Sequence, residues 1–163
     1  MQRVEPGASL LPSILDRLLD DAPDVSQEPL PDRFQNLRQL KRAVMRDLEA
    51  LLNTRQEIWE ELPAEFTELR RSLLTYGLPD FTTLSLTNPQ DANRIRRFVE
   101  QAIAIFEPRL NRVRVTLEAP RQQEPTLRFH IDAFLRVEPA PEPVTFDAML
   151  QLHTQEYVVR GQD

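Results

Sequence analysis

At Phe106-Glu107-Pro108-Arg109-Leu110 the hydrophobic period of this chain changes, from the three- and four-residue steps of a helix to the two-residue step of a strand. Proline removes a backbone donor and fixes φ, so Pro108 ends the helix before it and stiffens the corner. Glu107 and Arg109, of opposite charge, are therefore presented from a rigid helix-to-strand junction.

On the helical side, Asn88-Pro89-Gln90-Asp91 is a helix start: Asn88 as N-cap, Pro89 at the first helical position, Asp91 in the first turn. Ile95, Phe98, Val99, Ala102, Ile103 and Phe106 then supply one apolar face up to Pro108. An earlier helix spans Arg33 to Asn53, with Asp32 as N-cap and a stripe of Phe34, Leu37, Leu40, Val44, Leu48 and Leu51. Its other face carries Arg38, Lys41, Arg42, Arg46, Asp47 and Glu49, the composition of a solvated surface. Between the two helices, residues 54–88 have no sustained period, yet Trp59, Leu62, Phe66, Leu69, Leu73, Leu74, Tyr76 and Phe81 predict a segment packed down on the core. Gly77 and Pro79 place a helical stop and a turn within it.

On the strand side, Val113, Val115 and Leu117 alternate with Arg112, Arg114 and Thr116. Leu127 to Val137 and Val144 to Leu152 repeat the alternation. Three one-sided strands after two helices predict an α+β fold: N-terminal helices, then a mainly antiparallel C-terminal sheet packed by helices on one face. The 163 residues divide into an N-terminal helix with a proline-rich tether over 1–31 and a single α+β domain over 32–163. In the first segment Leu10, Leu11, Ile14, Leu15, Leu18 and Leu19 lie at helical spacing between Ser9 and Asp20, with Ser9 as cap. A helix this short needs tertiary contacts, which favours packing on its own domain.

Several chemistries lack their residues. There is no cysteine, so thiol and disulfide chemistry is excluded, in keeping with a reducing compartment. No apolar run reaches the roughly 20 residues of a membrane span, and Met1 to Pro6 lacks the apolar stretch of a signal peptide, giving a cytoplasmic expectation. His130 and His153, the two histidines, fall on separate predicted strands and do not form a metal-ligand spacing; both are expected on the polar face. Gly7, Gly77 and Gly161 are isolated and build no phosphate cradle, and Ser9, Ser13, Ser26, Ser72 and Ser85 sit in no nucleophile elbow. No cofactor is implied.

Three classes of function stay open on the residues. Glu57, Glu60 and Glu61 cluster at Trp59, and with Glu107 they are the acids a glycan hydrolase would need, about 5–10 Å apart across a cleft. No second acid is marked by an apolar setting. Arg94, Arg96, Arg97, Arg109, Arg112 and Arg114 against Glu100 and Glu107 give a local charge of +4 in a chain of net charge −6. That strip suits a nucleic acid, but aromatic residues for base stacking are not interleaved with it. A protein-binding edge is the third class: arginines at the corner and along a strand whose backbone a partner strand can extend.

Four stretches resemble the TssE family, small baseplate subunits of bacterial type VI secretion systems within the wider family of phage baseplate wedge proteins once labelled lysozyme-like. They are Leu11-Pro12-Ser13-Ile14-Leu15-Asp16-Arg17-Leu18, Leu48-Glu49-Ala50-Leu51-Leu52-Asn53-Thr54-Arg55, Ser72-Leu73-Leu74-Thr75-Tyr76-Gly77-Leu78-Pro79-Asp80-Phe81, and Phe106-Glu107-Pro108-Arg109-Leu110 before a Val-Arg-Val strand. The resemblance implies a structural role and no enzyme: a cytoplasmic subunit, in a baseplate docked at the inner-membrane complex, that joins the wedge to the first sheath ring and templates sheath polymerisation. The implied partners are TssF, TssG and TssK, the TssB/TssC sheath and the central spike region, with no nucleic acid and no membrane insertion. It implies a sheath or baseplate contact at Glu107, Pro108 and Arg109, continued by Arg112 and Arg114 on the strand. It also implies that Leu11, Ile14, Leu15, Leu18 and Leu19 enter a helical core bundle with TssF and TssG, against the self-packing expectation.

Overall fold

The computed structural model describes residues 12–19, 24, 37–56, 65–81, 84, 88–118, 126–151 and 156–161. A short helix α1 (Ile14–Leu18) precedes α2 (Leu37–Asn53), and two 3-10 turns at Leu69–Arg71 and Leu73–Thr75 precede α3 (Pro89–Phe106). Four strands follow: β1 (Leu110–Leu117), β2 (Thr126–Leu135), β3 (Glu142–Gln151) and β4 (Glu156–Gly161). They form an antiparallel meander in the order β1-β2-β3-β4, the α+β class expected from the sequence. β4 is an addition to the three expected strands; its buried positions, Tyr157 and Val159, flank another apolar residue, Val158, so the strand shows no alternation in sequence.

The stripe on α2 buries Leu40, Val44, Leu48 and Leu51, and α3 buries Ile95, Val99, Ala102 and Ile103. They meet the inward residues of the sheet, among them Val115, Phe129, Ile131, Leu135, Val144, Phe146 and Val159, in one apolar cluster. At roughly 1.5–3 kcal/mol for each large side chain removed from water, this layer dominates the favourable side of folding. The Asn88 side chain caps α3 by accepting from the Gln90 amide at 3.0 Å, with Pro89 at the first helical position as its sequence indicated.

Three expectations are corrected. Helix α1 starts at Ile14 with Ser13 as its cap; Ser13 and Asp16 form a reciprocal capping box that fixes the start, and Pro12 precedes the cap. Ser9 and Leu11 lie outside the described residues, as do Asp32, Arg33 and Phe34 at the expected start of α2. Among the described residues, the connection before α3 is packed down only in part, and Trp59 and Leu62 lie outside them. Tyr76, Leu78 and Phe81 join the core, whereas Phe66, Leu73 and Leu74 are exposed. The 3-10 turns there are satisfied locally, Ser72 Oγ donating to the Leu69 carbonyl at 2.7 Å and Thr75 Oγ1 to that of Arg70 at 2.8 Å. Finally, β1 is not a continuous alternation. Arg112, at φ 52°, opens a one-residue bulge between Asn111 and Arg114, which lets Leu110 and Val115 both face the core.

The polar face of α2 is also more than a solvated surface. Asn53 accepts from the Tyr157 amide at 2.7 Å and donates to the Tyr157 carbonyl at 2.9 Å, tying the end of α2 to β4. Asn53→Ala is expected to cost about 1–2 kcal/mol and to speed amide exchange at Tyr157. Exchange at the wild-type rate would show that this tie does not hold the strand.

Candidate functional site

Glu107 is the C-cap of α3, its amide still bonded to the Ile103 carbonyl at 2.9 Å, and its side chain is 4% exposed. A carboxylate so enclosed needs a charged partner. Arg109 supplies it across the proline: Nε donates to Glu107 Oε1 at 2.6 Å and Nη2 to Oε2 at 2.5 Å, a two-point clamp. The Arg109 amide adds a longer bond to Oε1 at 3.3 Å. Pro108 stays exposed and spaces the pair. Both carboxylate oxygens of Glu107 are thereby engaged within the chain.

The corner reaches beyond its own five residues. Arg109 Nη2 also donates to Asp47 on α2 at 2.5 Å, and Asp47 accepts from Arg46 Nη2 at 2.7 Å. Arg46 Nη2 in turn donates to Asp16 on α1 at 2.8 Å. A continuous chain of alternating charge thus links Glu107 to the N-terminal helix. Burial tends to lower the affinity of the Arg109 guanidinium for its proton; the hydrogen bonds and charges of Glu107, then Asp47, outweigh that and hold it above the ordinary arginine value. Tyr76 packs edge-on against Phe106 with ring centroids 5.2 Å apart. Burial first, then the negative charges of Asp47 and Glu107, push its hydroxyl up.

The structure therefore joins three of the stretches singled out in the sequence. The 72–81 segment locks onto the end of α2 through Leu78 N–H to Thr54 O and Gln56 N–H to Leu78 O, both 2.8 Å, and through Arg55 to Asp80 at 3.1 Å. Through Tyr76 it also touches the Glu107 corner. Arg112 and Arg114 continue along β1 with exposed side chains, Arg112 lying over the Phe134 ring at 5.9 Å. In the N-terminal helix Ile14, Leu15, Leu18 and Leu19 are 79, 50, 75 and 49% exposed, so self-packing fails for the described part of α1. Asp16 holds the helix to α2, and its apolar side faces outward.

Asp47 and Arg46 were missed as site residues. They lie on a helix face whose alternating charges look solvated, and only the crossing of the Arg109 corner over that face reveals their role. Glu57, Trp59, Glu60 and Glu61 lie outside the described residues, as does His153. His130 is half-buried on the sheet face away from the helices, its Nδ1 2.6 Å from Asp147 Oδ1 across the β2–β3 pair. Among the described residues no group of three or more candidate ligands is placed to hold a metal ion, and no helix is long and apolar enough to cross a membrane.

A mixed α+β domain with helices on one face of a four-stranded meander and a clamped Glu-Pro-Arg corner is a scaffold with a built junction. The family model of the baseplate wedge protein gp25 matches residues 38–140, from α2 to the turn between β2 and β3, and the chain belongs to that family. Among solved structures, the chain is similar to one in "The baseplate complex from the type VI secretion system", at 22% identity and a TM-score of 0.47, over 70% of this chain and 96% of that one. No curated protein matches.

Proposed function

We propose that the chain is a structural baseplate subunit of a contractile type VI secretion apparatus, joining the wedge to the first sheath ring and templating polymerisation of the sheath. Membership of the baseplate wedge family supports the baseplate assignment, and the TssE resemblance of its motifs supports the particular apparatus. The observation that carries it is α1 with its C-cap: four large apolar side chains, Ile14, Leu15, Leu18 and Leu19, are 49–79% exposed, beside the ion pair from Asp16 to Arg46 of α2. An apolar helix face left open beside a completed core fits a partner's groove.

In this reading Ile14, Leu15, Leu18 and Leu19, with Leu11 before them, enter a helical bundle with TssF and TssG, and TssK completes the wedge around the central spike region. The clamped Glu107-Pro108-Arg109 corner sets the angle at which β1, with Arg112 and Arg114, meets the TssB/TssC sheath. The work is cytoplasmic, in a baseplate docked at the inner-membrane complex. It requires no cofactor, nucleic acid, membrane insertion or catalysis.

Capture of a TssF–TssG subcomplex by the full chain, and by a chain lacking residues 1–20, tests this. The full chain is expected to retain the subcomplex, and the truncation to lose it. A Leu15→Asp/Leu18→Asp double variant should behave like the truncation. Retention by the truncated chain would return α1 to a different role, and no capture by either would overturn the wedge assignment.

A further inference from the structure

Helix α1 meets α2 with its acid and not with its apolar side. Ile14, Leu15 and Leu18 stand in water, while the Asp16 side chain is 5% exposed. Its Oδ1 accepts from Arg46 Nη2 at 2.8 Å. A helix docked permanently on its own domain buries the opposite face. The contact is also weak against what it would have to resist. Arg46 is 40% exposed, and an ion pair open to water shifts an equilibrium by no more than about fivefold. Moving one large apolar side chain out of water shifts it by at least about tenfold, and α1 with its C-cap has four to move.

Both sides of this contact keep partners when it opens. Asp16 Oδ2 stays with Ser13, whose amide donates to it at 3.1 Å and whose hydroxyl donates at 2.7 Å, so the capping box travels with the helix. Arg46 stays with Asp47, Nε and Nη2 donating to Oδ1 at 2.9 and 2.7 Å. Asp47 Oδ2 stays on Arg109, so the Glu107 corner is not opened. The charges point the same way. Along this chain the carboxylates of Glu107, Asp47 and Asp16 face the guanidiniums of Arg109 and Arg46. Asp16 is the excess anion, and without it the remaining groups balance two against two.

We propose that Asp16 and Arg46 form a releasable latch that parks α1 on α2 with its apolar face outward, and that a partner offering an apolar groove beside a basic residue lifts the helix off the domain. Uptake covers Ile14, Leu15, Leu18 and Leu19, the partner's cation replaces Arg46 on Asp16, and Arg46 falls back on Asp47. Until then the latch lowers the apparent affinity of the chain for that partner by the fraction of helix that is free. Only the identity of the partner rests on the proposed function; the latch is a property of this chain.

The chain has no cysteine, so one introduced thiol takes a nitroxide label at that position alone. Arg17 is exposed on α1 and makes no part of the latch. With the full chain labelled at Arg17→Cys, the amides of α2 around Arg46 are expected to be broadened by the nitroxide in low salt. Arg46→Gln should weaken that broadening, as should Asp16→Asn, which keeps an acceptor for Ser13. Salt of about 0.5 M should do the same. Unchanged amide positions across the sheet would show that both variants stay folded. The second measurement is the affinity of the unlabelled chains for the TssF–TssG subcomplex. Arg46→Gln should bind about two- to fivefold more tightly than wild type, because the parked state is lost. Asp16→Asn should bind less tightly than Arg46→Gln, because the partner's cation loses its carboxylate.

No broadening in the wild-type chain, or broadening that survives both substitutions and salt, would overturn the latch. Unchanged or weaker capture by Arg46→Gln would also overturn it, since Arg46 would then present the helix and not withhold it. If the broadening responds as expected but neither wild type nor Arg46→Gln captures TssF–TssG, the secretion-apparatus reading fails and the latch stands.

Discussion

Glu107→Ala is expected to weaken the folded state by about 3–5 kcal/mol, the cost of removing one member of a buried ion pair. The lost side chain is 4% exposed, and that of its partner Arg109 is itself largely enclosed, at 24%. Without Glu107, Arg109 keeps the bond to Asp47 alone, while its Nη1 is already buried without a hydrogen-bond partner. A charged group left in that state regains from water only part of what it loses. Glu107→Gln preserves shape and one acceptor, and should cost about 1–2 kcal/mol. Asp47→Ala should fall in the same range, since Asp47 is partly open to solvent and is the second of two carboxylates on Arg109. Urea melts of the three variants would establish the order. If Glu107→Ala lost less than Asp47→Ala, the clamp would not be what holds the corner.

This prediction governs how the corner can be studied in assembly. A sheath defect in Glu107→Ala would mix a lost contact with a loosened domain. Arg112 and Arg114 are exposed, so charge reversal there probes the surface with little effect on folding. A sheath that still forms with both reversed would remove β1 from the junction.

Gly77→Ala should be comparably damaging, at about 3–5 kcal/mol, although it adds one methyl group. Gly77 sits at φ 107°, in a region that side-chain-bearing residues occupy only under about 1–3 kcal/mol of strain. A Cβ there would lie 2.3 Å from the Thr54 carbonyl oxygen, a backbone atom at the end of α2 that cannot rotate aside. Relief requires moving the 76–78 segment away, at the expense of the paired bonds between Leu78 and residues 54 and 56. At about 1 kcal/mol each, those losses add to the strain. The displacement would also draw Leu78 out of the core and Tyr76 off Phe106, so the Glu107 corner should loosen with it. Equilibrium unfolding gives the magnitude, and the near-ultraviolet signal reports the Tyr76 environment. A variant with wild-type stability would show that the turn adapts more readily than this contact allows.

The residues tying these sites together differ in how visible they were beforehand. Asn88 and Pro89 fixed the start of α3, because capping and a missing amide are properties of neighbouring residues. The stripes of α2 and α3 and the alternation in β2 and β3 were legible for a similar reason: burying one face imposes a period on the chain. Arg112 broke that rule in β1, since a bulge adds a residue without leaving a mark in composition. The exposure of α1 was equally hidden: its apolar spacing is the same whether the helix meets its own domain or another chain's.

The sequence by itself determined the order of helices and of the first three strands, the stop at Pro108 and the opposed charges on either side of it. Each depends on residues close together in the chain. Tertiary structure alone decided that Glu107 closes on Arg109, that Asp47 lies across them, and that Glu100, Glu49 and Asn53 reach the sheet edges. Asp47 is 62 residues from Arg109, and Glu49 is 110 from Val159. A carboxylate on a helix looks the same in sequence whether it faces water or a strand from the far end of the chain. What it does is set by the packing of α2 and α3 on the sheet, which brings those distant groups within hydrogen-bonding distance.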